Sequence, residues 1–429
     1  MSTRYKKSEE YLERALKTVP LGSQTFSKSK TQLPIGVSPF FAETAKGAYL
    51  YDVDGNQYID FVNSLCSVTL GYNDPDVTNA VAEQLQKGII YSLSHELEFK
   101  VAEKIVEIVP CAEMVRFGKN GSDATAGAIR LARAYTQRDH VLVCGYHGWQ
   151  DWYIGSTTRD LGVPKEVKNL THKFFYNDIA SLETKLNELK GKVAAVILEP
   201  VNVVAPENNF LEKVKELTHK HGAVLVFDET ITGFRYANGG AQEFFNVIPD
   251  LATFGKGLAN GYPVSAVAGR ADIMKLMEEI FFSFTFGGET LSLAAAYATM
   301  TKLQREPVIA KLFSTGEQVI REVNAAINDA GLQSIFSVAG YPVWSFFMIK
   351  DTLQYNSWEF KTLLLQEMFQ NGIFTIGTHN ISYAHEPEHV QKLAQSYRGY
   401  FKKVQEAIEK NNLRSMLQCE PLKPLFKVR

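Results

Sequence analysis

Ala223-Val-Leu-Val-Phe-Asp-Glu229 is a short unbroken apolar run that closes on two carboxylates. Upstream, Val193-Ala-Ala-Val-Ile-Leu-Glu-Pro200 repeats the pattern with one acid. Continuous Val/Ile/Leu runs of this length predict strands buried on both faces of a parallel sheet, here Ala194–Leu198 and Ala223–Phe227. Ligands of open α/β sheets bind beyond the carboxyl ends of their strands. A carboxylate buried there is costly unless it meets a positive charge. Glu199 and Asp228 therefore mark the ligand end of the sheet, although an acid in either place also suits the cap of a following helix.

Further along, Asp250-Leu-Ala-Thr-Phe-Gly-Lys256-Gly-Leu-Ala-Asn-Gly-Tyr-Pro263 sets one lysine between two glycines. A surface lysine usually sits among charges, whereas Lys256 has Thr253, Phe254, Gly255, Gly257, Leu258 and Ala259 around it. Such surroundings are expected to strip water from the ammonium and favour the free amine that carbonyl chemistry needs. Gly-Lys-Gly alone is too common to decide this. A P-loop is excluded because Gly257 follows the lysine where Ser or Thr is required, and the spacing of Gly255, Gly257 and Gly261 is not a dinucleotide fingerprint. A strand-end aspartate is the characteristic partner of the protonated pyridine nitrogen of pyridoxal phosphate (PLP), and Asp228 fits that role. Lys256 and Asp228 together predict a Schiff-base lysine and a carbonyl cofactor.

The cofactor's phosphate needs a cradle of its own. Phe117-Gly-Lys-Asn120-Gly121-Ser122-Asp-Ala124 leads into an amphipathic helix predicted over Ala124–Tyr135. Gly121 permits close approach, Ser122 offers a hydroxyl, and the helix start presents unpaired N–H groups to an anion. Asn120 or Ser122 would also serve as an ordinary cap. After the apolar strand His140–Cys144 comes Gly145-Tyr146-His147-Gly148-Trp149-Gln150-Asp151-Trp152-Tyr153, a loop crowded with rings. An aromatic side chain there can stack on a flat cofactor, while a hydrophobic plug or a subunit contact accounts equally for Trp149 and Trp152.

In this order and spacing the blocks resemble the class III PLP-dependent aminotransferases of fold type I, closest to the glutamate-1-semialdehyde aminomutase branch. The resemblance begins at Lys46-Gly-Ala-Tyr-Leu-Tyr-Asp-Val-Asp-Gly-Asn-Gln-Tyr-Ile-Asp60 and covers nearly the whole chain. It continues through Phe117–Ala124, Tyr146-His147-Gly148, Glu199-Pro200-Val201, Phe227-Asp228-Glu229 with Thr232-Gly-Phe-Arg235, Phe254-Gly-Lys256-Gly and Thr285-Phe-Gly-Gly288. The fold it implies is α/β: a large domain with a mostly parallel, seven-stranded type of sheet between helices, and a smaller α+β domain built from both termini. By the same resemblance Lys256 is the catalytic residue, bonding the cofactor and later moving a proton between carbons. Asp228 pairs with the pyridine nitrogen, Tyr146 stacks on the ring, Thr230 backs it, and Asn120, Gly121 and Ser122 hold the phosphate. Thr285 reaches the phosphate of the neighbouring subunit, which implies a homodimer with shared active sites. Glu199 is implied to act near the substrate or behind the residues that touch it.

Departures from the family pattern concern the substrate. The aminomutase branch carries an arginine for the substrate carboxylate in its N-terminal loop; here the stretch is Gly22-Ser-Gln-Thr-Phe-Ser-Lys28. Lysine cannot reproduce a bidentate guanidinium fork. A late family glutamate falls near Gly377, and the Ser-Trp-Gly-Pro run reads Ser64-Leu65-Cys66-Ser67. Gly-Asn-Pro after the phosphate threonine reads Gly288-Glu289-Thr290. Lys28 is the candidate substrate residue at the arginine's place, and Trp149, Gln150, Trp152, His379 and Asn380 suit a hydroxyl-rich molecule. The sequence therefore favours amino transfer from a small amino donor to an oxo-sugar or related carbonyl acceptor, the alternative being the aminomutase itself.

Composition sets the bounds. A chain of 429 residues exceeds one core-sized domain. Domains are expected at 1–73 and 304–429 for the small domain and 74–303 for the large one. A net charge of −2 gives no reason to invoke nucleic acid or an anionic membrane. Cys66, Cys111, Cys144 and Cys419 are scattered without metal spacing. With an N-terminus lacking an apolar signal core, they suggest reduced thiols in a cytoplasm. Secondary structure is expected as a helix over Ser8–Val19, a hairpin turning at Asp52–Gly55 and alternating strands and helices from Asp74 to Met300. A long helical segment Gln304–Gly331, strands in Phe336–Ile349, helices at Trp358–Asn371 and Pro387–Lys410, and a wrapping tail Asn411–Arg429 complete the chain.

Overall fold

The computed structural model describes residues 3–424; the first two residues and the last five of the expected tail lie outside the described residues. The described residues divide into two compact units, one running from Pro75 to Ile309 and the other made of residues 3–74 together with 310–424.

The Pro75–Ile309 unit is built on a seven-stranded sheet. In spatial order its strands are Met114–Gly118, Ser265–Gly269, Leu251–Phe254, Val224–Asp228, Val193–Leu198, His140–Cys144 and Thr171–Lys173. The last five are parallel, and Ser265–Gly269 runs antiparallel to both of its neighbours. Every residue of Val193–Leu198 and Val224–Asp228 is buried, as the unbroken apolar runs require. Alternate side chains feed two cores. Val141, Val143, Ala195, Ile197, Val224 and Val226 pack against Ala124, Ala128, Ile129 and Leu131 of the helix Gly121–Thr136. Leu142, Val196, Leu198, Leu225 and Phe227 face Leu182, Leu186, Phe210, Leu211 and Val214 on the opposite side. A one-residue slip would exchange these faces, so the register is fixed. It pairs Asp228 with Thr253, three residues before Lys256.

The helix expected to start at Ala124 starts at Gly121, because Asn120 and Asp123 cap it reciprocally. Of the long helical segment expected at Gln304–Gly331, Val308–Asp329 is one helix, and Gln304 and Arg305 end the preceding helix, Thr290–Arg305. Pro307, which lacks an N–H and disfavours helix before it, separates them.

In the other unit, the antiparallel strands Ala42–Lys46, Tyr49–Asp52 and Gln57–Asp60 are joined by Ile373–Phe374, which pairs parallel to Gln57–Asp60. The two ends of the chain thus share a sheet. Phe336–Tyr341, Trp344–Ile349 and Thr378–Asn380 form a second, antiparallel sheet, and the helices Ser357–Gln370 and Pro387–Lys410 belong to the same unit. Asn63–Cys66 forms a turn with φ of 46, 48, 60 and 67°. Four successive non-glycine residues in the left-handed region are held there by Asp60, which accepts from Val62 and Asn63 N–H, and by Asn380, which donates to the Val62 carbonyl. Among the described residues no helix is long and apolar enough to cross a membrane, and no cluster of His, Cys, Asp or Glu is placed to hold a metal ion.

Candidate active site

Asp228 ends its strand fully enclosed, and four groups converge on its carboxylate. The Thr230 hydroxyl (2.6 Å), the Thr230 N–H (3.1 Å) and the Thr253 hydroxyl (3.1 Å) donate to Oδ1. His147 Nδ1 lies 2.9 Å from Oδ2. Burial by itself would push the carboxyl up, but the His147 and Thr230 bonds outweigh it and hold the group below the ordinary aspartate value. A dry, ionised carboxylate is thus fixed at the ligand end of the sheet. The sequence reading missed His147; the signal was an imidazole in the loop that follows the neighbouring strand. Its Nε2 is buried and without a partner, and its carbonyl is tied to the Thr125 hydroxyl at 2.8 Å.

The cradle lies on the same edge. Asp123 Oδ2 accepts from the N–H groups of Lys119 (3.0 Å) and Asn120 (2.9 Å), while Asn120 Oδ1 accepts from Asp123 N–H (3.2 Å). Asn120, expected beside the phosphate, thus has its side-chain oxygen engaged as the helix cap. Ser122 Oγ accepts from Trp149 N–H at 3.2 Å, which leaves its hydroxyl proton available to an anion. Two glycines are needed for the fit. A Cβ on Gly121 would lie 3.0 Å from the Thr230 methyl, and a Cβ on Gly148, whose φ is +103°, would lie 2.2 Å from Ser122 Oγ. The structure therefore brings Gly121, Ser122, Thr230, Asp228 and the Tyr146–Trp149 loop together. Among the described residues this edge offers backbone N–H groups at a helix start, a serine hydroxyl and a shielded carboxylate, a donor set that fits an anionic group joined to a cationic flat ring.

Lys256 follows the strand Leu251–Phe254, opens the short 3₁₀ turn Lys256–Ala259 and is half-buried. Its φ of 45° puts a non-glycine residue in the left-handed region, a strain of about 1 kcal/mol, three residues after Thr253. Strain of this kind concentrates at functional sites.

Glu199, expected near the substrate or behind the residues that touch it, is buried under the ring loop. Its Oε2 accepts from Tyr146 N–H at 3.0 Å and from Asn202 Nδ2 at 2.9 Å, so it sets the position of Tyr146. Glu199→Ala should therefore act through Tyr146. The expected outcome is a cofactor dissociation constant raised about tenfold by loss of a charged hydrogen bond, with the substrate KM little changed; equilibrium titration and steady-state kinetics separate the two. Trp149 is largely exposed and lines an open cavity of about 470 Å³ with Arg130, Arg133 and Asp151.

Gln150 and Trp152 line the same cavity as Trp149, whereas Lys28, His379 and Asn380 lie in the other unit. Lys28 is exposed and lines a cavity of about 430 Å³ with Asp60, Ser64, Leu65 and Tyr72. His379, expected as a substrate contact, is a core histidine. It is fully buried, with Nδ1 bonded to Ser345 Oγ at 3.0 Å and Nε2 to Tyr397 OH at 2.8 Å, so it has no edge left for a substrate. Asn380 is buried too, and donates to the Val62 carbonyl.

Burial lowers the His379 imidazole to about 4, so the folded chain keeps it neutral where the unfolded chain protonates it. The associated stability is complete above about pH 6.5 and is lost as pH falls towards 4, a total of about 3 kcal/mol. In urea melts, the wild type should lose more stability between pH 7 and pH 5 than His379→Gln does. Equal losses would show that His379 does not carry this acid sensitivity.

Thr285 is exposed and sits in a turn with Phe281, Phe284 and Phe286, which are exposed as well.

The family model for class III aminotransferases matches residues 33–393. The chain is similar to glutamate-1-semialdehyde 2,1-aminomutase 2 of Lachnoclostridium phytofermentans, with 39% identity over 80% of this chain and 84% of that one. It is also similar to the 3-aminobutyryl-CoA aminotransferase of Cloacimonas acidaminovorans, with 33% identity over 89% and 93% of the two chains. Among solved structures, the FumI protein of Sphingopyxis sp. MTA144, in a form that carries PLP, superposes with a TM-score of 0.88 at 26% identity. That match covers 98% of this chain and 99% of FumI.

Proposed function

The chain belongs to the class III aminotransferases, and on that footing we propose that it is a PLP-dependent enzyme in which Lys256 bonds the cofactor and moves the substrate proton. The observation that carries this reading is the shielded Asp228 carboxylate, register-paired with Thr253 on the strand that delivers Lys256. Bound PLP supplies an electron sink for charge on the carbon next to the substrate nitrogen. Asp228 holds the pyridine nitrogen protonated, and His147, Thr230 and Thr253 keep that carboxylate oriented and ionised. Gly121 and Ser122 receive the phosphate at the helix start. Tyr146, placed by Glu199, would stack on the cofactor ring, and Thr230, beside Gly121, would back it. Lys256 Nζ accepts a proton from one carbon and returns it to another, acting as base and then acid.

The working unit is a homodimer in which Thr285 reaches the neighbouring subunit's phosphate. This is supported by the exposed apolar side chains Ile89, Leu93, Phe99, Phe281 and Phe286, a kind of surface that partner subunits cover. Cys66, Cys111, Cys144 and Cys419 form no disulfide among the described residues, in keeping with a cytoplasmic setting.

Of the two reactions considered, the relatives favour the aminomutase, in which glutamate 1-semialdehyde becomes 5-aminolevulinate without an external acceptor. A second reading rests on Lys28 in place of the carboxylate-binding arginine: L-glutamate donates its amino group to an oxo-sugar, giving 2-oxoglutarate and an amino sugar. Purified enzyme supplied with glutamate 1-semialdehyde alone is expected to form 5-aminolevulinate. Absence of that product, with 2-oxoglutarate released from glutamate in the presence of an oxo-sugar, would replace the first reaction by the second.

A further inference from the structure

Glu289 stands where the family pattern has asparagine, and its carboxylate joins three pieces of the large unit. It caps the helix Thr290–Arg305, accepting from Leu291 N–H at 2.7 Å and from Ser292 N–H. It accepts the Ser292 hydroxyl at 2.6 Å. Across a sequence separation of 170 it meets Lys119 Nζ at 3.0 Å, and Lys119 is the residue before the Asn120 cap of the cradle helix. The backbone of Glu289 in turn closes the Thr285 turn. Its N–H donates to the Phe286 carbonyl at 3.2 Å, and Gly287 N–H donates to the Phe284 carbonyl at 3.0 Å. The next residue, Thr290, donates to the Ile89 carbonyl at 2.9 Å and so ties in a second exposed apolar segment.

Only 22% of the Lys119 side chain and 12% of the Glu289 side chain are exposed, so water and salt screen this pair less than a surface ion pair. Lys119 cannot shift without moving the first turn of the cradle, since its own N–H is bonded to Asp123. Glu289 cannot shift without uncapping its helix and loosening the turn that bears Thr285.

We infer that the Lys119–Glu289 ion pair couples cofactor binding to subunit association, by clamping the phosphate cradle to the turn that carries Thr285. The inference rests on the proposed seating of the phosphate at Gly121 and Ser122. Phosphate held by the cradle fixes Lys119, Lys119 fixes Glu289, and Glu289 presents the Phe284–Gly288 turn to the second copy of the chain. Both residues are positioning residues and neither touches the reacting atoms.

The test uses the full chain, Lys119→Met, Glu289→Gln and the double variant. Glutamine keeps a cap acceptor and methionine keeps the aliphatic stem, so both singles should retain the wild-type circular dichroism and thermal midpoint without PLP. The PLP dissociation constant is measured by titration, and the dimer dissociation constant by sedimentation with and without PLP. Each single variant is expected to bind PLP roughly tenfold more weakly and to lose the tightening of the dimer that PLP gives the wild type. The double variant should be no worse than the singles, since all three remove one interaction. Glu289→Gln that binds PLP as tightly as the wild type, or more tightly, would overturn the coupling. If Lys119→Met alone then weakened binding, the ammonium would act on the phosphate directly. Wild-type protein that binds no PLP would instead overturn the cofactor reading on which the inference rests.

Discussion

Lys256→Ala is expected to lower turnover by about four orders of magnitude or more, with PLP still retained by the cradle. General acid–base transfer by one side chain contributes roughly 10²–10⁴-fold, and loss of the covalent attachment adds to that. The fold should survive. Alanine at a left-handed position carries about the same backbone strain, near 1 kcal/mol, that lysine already bears at φ 45°. A small primary amine added to the variant should restore part of the rate, because it supplies the missing proton acceptor without the missing tether. Full activity in Lys256→Ala, or a loss matched by unfolding in circular dichroism, would remove the residue from the chemistry.

Asp228→Asn is the second large effect, a fall of about 10³-fold in kcat/KM. Asparagine keeps the shape and can still accept from Thr230 and Thr253, so little packing is lost. What disappears is the negative charge in a dry site, where one preorganised electrostatic contact is worth roughly 10²–10³-fold. Because the His147 and Thr230 bonds hold the carboxyl below the ordinary aspartate value, mild acid leaves it ionised. Loss of activity in mild acid would therefore come from other groups, and Asp228→Asn should leave that limb of the pH profile in place. Thr230→Val offers a graded comparison, since it removes one of the carboxylate's donors and keeps the charge; a loss of about tenfold is expected.

The elements that were legible share a physical cause. Val193–Leu198 and Val224–Asp228 are buried on both faces, and only an apolar run satisfies that. Pro387–Lys410 was readable to the residue because proline at its first position and an asparagine with φ 51° after its end punctuate it. The antiparallel strand Ser265–Gly269 carries no such mark, because Ser-Ala-Val-Ala-Gly is short and rich in small residues. The break at Pro307 was hidden by apolar periodicity on both sides of it. Asn63–Cys66 could not be anticipated at all, as its left-handed geometry is imposed by Asp60 and Asn380 from distant parts of the chain.

At the site, composition pointed to groups but not to their partners. Lys256, Asp228, Ser122 and Gly121 stand out because their surroundings are wrong for a surface. His147 does not, since its meaning lies in a bond to a residue 81 positions away. His379 was misread for the converse reason. An imidazole in a polar-looking stretch looks available, but Ser345 and Tyr397 occupy both nitrogens. Of the two places expected for Glu199, its bonds to the Tyr146 N–H and to Asn202 put it behind the ring loop, which the strand-end pattern alone does not specify.

The most direct test is chemical. Purified protein saturated with PLP is reduced with borohydride, digested, and its peptides are sequenced by mass spectrometry. A pyridoxyl group on Lys256, and its loss when the wild type is replaced by Lys256→Ala, is the expected result. A reduced adduct on another lysine, or none, would contradict the central role given to Lys256.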